Sequence, residues 1–141
     1  LLNQYSPLLL DFSEKELTDW ENYLIKAEQF LETARDAYFK ENWNAVGLNA
    51  VHSAISANDA LTSYYGKVRS ISEKHSDSIN LLLEVFKSDK GSKDHSKHIL
   101  WLIGRKNLVE YESRLFYKKE AEESLKHAGR FLSWAKIKLP K

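Results

Sequence analysis

Three groups of side chains have the types and spacing for chemistry. His52 and Asp59 stand seven residues apart in a stretch with helical periodicity, so they share a face two turns along. Further on, Arg105, Lys106, Asn107, Glu110, Tyr111 and Arg114 gather both charge signs within one short stretch. Asn107, Glu110, Tyr111 and Arg114 recur there at steps of three and four. Glu110 has a cation four residues away on either side, Lys106 and Arg114, and pairing with one of them should pull its pKa down. The third group is Arg69 with His75, six apart in a stretch read as a loop. A histidine there titrates near neutral pH and can act as acid or base. Each group also has a plain structural reading: a satisfied polar pair in the core, a surface ion-pair network, an exposed loop histidine. Those readings outweigh the chemical ones on spacing alone.

Several chemistries find no support. The chain has no Gly-rich phosphate loop, no Glu-x-x-His pair and no His-Glu-x-x-His zinc motif. No serine sits on a strand-to-helix elbow, which argues against a nucleophilic hydrolase. Cysteine is absent, so disulfides and thiolate metal sites are excluded, in keeping with a reducing, cytoplasmic setting. We expect no metal and no cofactor. No run approaches the roughly 20 apolar residues of a membrane span. The chain opens on Leu1-Leu2-Asn3-Gln4 without the basic start of a signal peptide and holds no methionine, so we expect residues upstream of Leu1.

The net charge of +1 conceals a split. Residues 1–86 carry seven Lys/Arg against thirteen Asp/Glu, and residues 87–141 carry fourteen against seven. The two parts can attract each other within the chain or across a dimer, or the basic end can meet a nucleotide or nucleic acid.

The elements that must position these groups are helices. With five Gly and two Pro in 141 residues, long uninterrupted elements are expected. Residues 1–12, with Pro7, read as an arm, and 13–141 as one domain. Ser13 with Glu16 has the form of a capping box for a first helix. Leu17, Trp20, Leu24, Ala27, Leu31, Ala34 and Tyr38 would be its apolar face. A second helix, about Asn42 to Tyr65, has Ala45, Ala50, Ala54, Ala57 and Ala60 on several faces. Close neighbours on more than one side make it the central helix, with Gly66 as a left-handed cap. Lys67–His75 reads as a loop, then comes a short helix from Ser76 to Phe86, and a second loop from Ser88 to His95. A fourth helix runs from about Ser96 to Glu112, with Ile99, Leu100, Leu102, Ile103 and Leu108 as core candidates. The last helix starts near Lys118 and buries Ala121, Leu125, Ala128, Leu132 and Ala135. Gly129 inside it should mark a close contact. The predicted fold is all-α, an antiparallel up-and-down bundle of four to five helices.

Three stretches together resemble the HEPN family. Asn49-Ala-Val-His-Ser-Ala-Ile-Ser-Ala-Asn-Asp-Ala-Leu61 is similar to its central helix, and Lys106-Asn-Leu-Val-Glu-Tyr-Glu112 to the start of its later helix. Glu120-Ala121 through Ala128-Gly-Arg-Phe-Leu-Ser-Trp134 is similar to its closing helix. The resemblance spans roughly Glu14 to Leu139. It implies a four- or five-helix antiparallel bundle. It also implies either a metal-independent ribonuclease of toxin–antitoxin or defence systems, or an accessory domain beside a nucleotidyltransferase. Nuclease members carry Arg, four to six residues, then His, and two such elements meet across a homodimer cleft. There the His helps to activate the ribose 2′-hydroxyl and the Arg holds phosphate. Arg105 matches the Arg, but Glu110 stands at the His position, and Glu110 with Glu112 would repel phosphate. Arg69–His75 fits the formula in the wrong segment. The resemblance therefore implies a degenerate, non-catalytic homodimeric binding domain for a nucleotide or RNA. Arg105, Lys106, Asn107 and Tyr111 would bind the ligand, with His52, Asp59 and His75 lining the same cleft. In the alternative, an active ribonuclease, the catalytic candidates are Arg105, Glu110 and His75.

Overall fold

The first long helix, α1, spans Trp20–Phe39. Ala27, Leu31, Ala34 and Ala37 recur at steps of three and four and are all buried. The computed structural model describes residues 12–13, 19–66, 69–70 and 75–141, and the side chains of 19–66 and 78–141. Asp19 takes the N-cap place of α1, so Ser13 does not cap it. Phe12–Ser13 is instead a two-residue strand, β1, antiparallel to β2 at Arg69–Ser70. Glu16 and Leu17 lie outside the described residues, as does most of the expected arm.

The α1 helix ends on a Schellman motif. Asn42 N–H donates to Ala37 O and Glu41 N–H to Tyr38 O, at 2.9 and 3.0 Å. Glu41 holds the left-handed position at φ 60°, where glycine is the usual occupant. The turn delivers the chain directly into α2, Trp43–Leu61.

The α2 helix is the central helix, as its alanine pattern predicts. Ala50, Ala54, Ala57 and Ala60 have no exposed surface, and α1, α4 and α5 all pack against it. Small side chains let backbones come close: Ser53 Oγ donates to Ala27 O of α1 at 2.7 Å. Its last turn widens into a π-helix at Thr62–Gly66. Thr62 Oγ1 turns back onto the carbonyls of Asn58 and Asp59, a bond that competes with the regular ladder. Gly66 does not take a left-handed conformation, so the π-turn replaces the expected glycine cap.

The α3 helix, His75–Val85, buries Ile79, Leu81 and Leu82. The next helix, α4, spans Lys90–Tyr111 and begins six residues before the predicted start. Asp89 explains the difference: its Oδ1 accepts from Gly91 N–H at 2.8 Å, a true N-cap. Most of the predicted loop Ser88–His95 is therefore helix. Ile99 and Leu102 enter the core, but Leu100 is 49% exposed. Residues 112–117 connect to α5, Lys118–Lys138. Glu120 reaches back to accept from Tyr117 N–H at 2.8 Å, which secures the start of α5.

Gly129 does not make the close contact expected of it, whereas Gly47 makes one. A Cβ on Gly129 would meet nothing within 4 Å, so no close contact is made there. A Cβ on Gly47 would lie 2.4 Å from the Phe116 ring. Phe116 is pinned at that spot because its N–H donates to Asn44 Oδ1 at 2.8 Å. The result is an all-α antiparallel bundle, and among the described residues no helix is long and apolar enough to cross a membrane.

Candidate functional site

The α4 helix carries the basic cluster, and the fold brings α2 alongside it. Lys106 Nζ donates to Glu110 Oε2 at 2.8 Å, one turn along the same face. His52 Nε2 from α2 stands 3.7 Å from the other oxygen, Glu110 Oε1. The Lys106 hydrogen bond is the main reason the Glu110 carboxyl is held below its ordinary pKa. Partial burial opposes that shift, and the Tyr111 side chain, the Lys106 charge and His52 add to it. The expected partner Arg114 is not part of this arrangement. It turns to Glu120, with its guanidinium nitrogens 3.0 and 2.8 Å from the two carboxylate oxygens. Such a two-pronged bond is stronger and more directional than a single contact.

Arg105 points elsewhere. Its guanidinium lies over the Trp101 ring, 3.7 Å from the centroid, and donates to Trp101 O at 3.3 Å. Asn107 and Tyr111 are exposed on α4, and the Lys106 ammonium lies 5.7 Å from the Tyr111 ring. Asp59 is buried two turns beyond His52, about 10 Å along the helix axis. It sits at the polar end of α2, where Asn58 Nδ2 donates to Ser78 O of α3 at 3.1 Å. Of the predicted binding residues, the structure unites His52 and Lys106, joined by the catalytic candidate Glu110, and sets Asp59 apart from them. His75 begins α3, and its side chain lies outside the described residues.

A family model for the HEPN domain matches residues 20–138. The chain belongs to the HEPN family. No curated protein matches it. HEPN domains have ribonuclease and nucleotide-binding roles and often dimerise, and their helical bundle is the fold described above. In this HEPN domain Glu110, which the resemblance would set at the place of the motif histidine, already accepts from Lys106. A carboxylate with a lowered pKa is a weak proton acceptor, which leaves Glu110 poorly suited as a general base.

Sequence reasoning missed a second set of residues between α4 and α5. His98 Nδ1 and His127 Nδ1 are 2.9 Å apart. One ring must donate there and the other accept, so at least one is neutral. The set extends through ring stacking. His127 lies on Trp101 with centroids 4.5 Å apart, and His95 on Trp134 at 5.0 Å and nearly parallel. Burial is the main cause that lowers the pKa of both His98 and His127. The cations Lys126 and Arg130 add to it, and for His127 the nearby Glu123 opposes it. The signal was present in the sequence as His95, His98 and Trp101 on one helical stripe, and as His127 and Trp134 seven apart. The loop predicted over Ser88–His95 concealed the first stripe.

Proposed function

We propose that this HEPN domain is a non-catalytic nucleotide- or RNA-binding module that acts as a homodimeric accessory protein. The observation that carries this reading is the Lys106–Glu110–His52 arrangement. Where the resemblance would set a histidine, a carboxylate accepts from Lys106 at 2.8 Å and has the His52 ring 3.7 Å from its other oxygen. Arg105, Lys106, Asn107 and Tyr111 lie within two turns of α4 and supply cationic, polar and aromatic groups, a composition that suits a phosphate backbone with exposed bases. The family's association with nucleotidyltransferases supports a partner of that kind.

A second reading, a metal-independent ribonuclease of a toxin–antitoxin or defence system, draws on one observation. His52 brings an imidazole from α2 to within 3.7 Å of the carboxylate that stands at the motif position. In that reading Glu110 orients His52, and His52 takes the proton of the ribose hydroxyl.

An RNA-cleavage assay in EDTA separates the two, with the wild type compared against Arg105→Ala and His52→Ala. The binding reading expects no cleavage by any of the three. It also expects RNA binding that is lost when Arg105→Ala and Lys106→Ala are combined. Cleavage by the wild type that disappears in either single variant overturns it in favour of the nuclease.

A further inference from the structure

His98 lines an open groove of about 340 Å3 between α4 and α5, with His95, Arg130 and Ile137 around it. We propose that His98 is a phosphoryl-acceptor site: its Nε2 takes a phosphoryl group from a small donor with a phosphorus–nitrogen bond and holds it beside Arg130 and Lys126.

The case begins with the tautomer. Glu123 Oε2 faces His127 Nε2 at 3.8 Å. A carboxylate beside a ring nitrogen favours the N–H form there. His127 Nδ1 is then the bare nitrogen, and it accepts from His98 Nδ1 at 2.9 Å. Trp101 stacks on His127 with centroids 4.5 Å apart and holds the accepting ring in place. The lone pair of His98 is thereby assigned to Nε2, on the opposite edge of its ring. Among the described residues nothing hydrogen-bonds that nitrogen, and it is not sealed from the groove.

Protonation and charge point the same way. Burial first, and then the charges of His127, His95, Arg130 and Lys126, hold His98 below its ordinary pKa. Near neutral pH the ring keeps its lone pair, and the neutral imidazole is the nucleophile. The cations that keep it neutral also suit a phosphoryl group, whose three oxygens share negative charge as it transfers. Arg130 is exposed and lines the groove. Lys126 is held only loosely, 4.0 Å from Glu123. No carboxylate lines the groove to repel the incoming group.

The step balances on these groups. His98 Nε2 forms a bond to phosphorus while the phosphorus–nitrogen bond of the donor breaks. From phosphoramidate in its ammonium form, the electron pair departs with neutral ammonia, and nothing is oxidised or reduced. The phosphorylated ring is then an imidazolium, and its Nδ1 proton passes along the existing bond to His127 Nδ1. Glu123 faces the charge that forms on His127. The product sets about two negative charges on an otherwise basic face, where Arg130 and Lys126 can pair with them.

The site shares no residue with the Arg105–Tyr111 strip, so its failure and that of the function proposed above are separate events. The test treats the intact protein with phosphoramidate at neutral pH. Mass spectrometry maps the modification over the five histidines, and phosphorus–proton NMR reads the isomer. His98 should react at least about tenfold faster than His52, His75, His95 or His127, and as the Nε2 isomer. Arg130→Ala should slow it at least about fivefold, an exposed cation acting less strongly than a buried one. His127→Ala frees Nδ1 and should shift the product toward the Nδ1 isomer. His127→Asn, whose amide oxygen can still accept, should keep the Nε2 isomer, a rescue that a merely structural role would not give. Circular dichroism melts identify any variant that fails to fold, and the wild-type map is decisive without them. Modification spread over the histidines according to exposure, an Nδ1 product in the wild type, or an unchanged rate in Arg130→Ala would each overturn the proposal.

Discussion

Glu110 shows how much a single position can say. Its place in the sequence, with cations four residues to each side, led to a correct expectation that its pKa is lowered. Which cation pairs with it could not be read, because Arg114 lies just beyond the end of α4 and the chain turns it toward Glu120 of α5. The lowered pKa has a direct consequence for stability. The folded state binds the Glu110 proton less readily than the unfolded chain does. The stabilisation is therefore present above the ordinary glutamate pKa and is lost as the pH falls through the folded value. We expect Glu110→Gln to destabilise the protein near neutral pH, and the gap from wild type to close under acid, as urea unfolding at several pH values would reveal. Gly47 is the opposite case, invisible until Phe116 is seen against it. Gly47→Ala should cost about 1–3 kcal/mol through overpacking, measured by the same unfolding experiment. A wild-type midpoint in that variant would mean Phe116 can move aside.

Elements were more legible than their ends. The alanine pattern of α2 and the apolar stripes of α1 and α5 follow directly from helical periodicity. The ends failed where a local bond overrode composition. Asp89 starts α4 inside a Ser-, Lys- and Gly-rich stretch that reads as a loop. A π-turn, which has no simple sequence signature, takes the place of a glycine cap after α2. Asp89 also meets Lys138 at the end of α5, and this ion pair leads the causes that hold its pKa low. Asp89→Ala should lower stability by about 1 kcal/mol for the lost cap, and Asp89→Asn, which can still cap, by less. Equal losses would place the value of Asp89 in the ion pair instead. Gly129→Ala should raise the melting temperature, since a better helix former enters open space. A lower melting temperature would mean that the glycine serves an intramolecular contact.

At the scale of the molecule, the fold was readable because five amphipathic helices leave few ways to bury their stripes. The candidate site was readable where its residues were neighbours in sequence, and His52 was joined to them through the family resemblance. His95, His98 and His127 come from two helices, and no spacing rule links them. His98 and His127 make the bundle as a whole sensitive to acid. Both His98 and His127 have lowered pKa values in the folded state, so the unfolded chain takes up protons first as the pH drops. Stability should be full well above the ordinary histidine value of 6.5 and decline below it. Melting temperatures measured between about pH 8 and pH 5 should fall in the wild type, and fall less in His98→Gln. Parallel profiles would remove this pair from the acid response.

The alanine-faced central helix also bears on how such a domain can change over generations. Ala50, Ala54, Ala57 and Ala60 are enclosed on every side, and Gly47 is closed off by an aromatic ring. No larger side chain enters those places without prising the bundle apart, so drift along α2 is confined to a narrow alphabet of small residues. Substitutions can accumulate freely on the outward faces of α1, α4 and α5, where charge and ring chemistry reside. A lineage built on this frame would diversify what it binds while its innermost helix stays nearly mute.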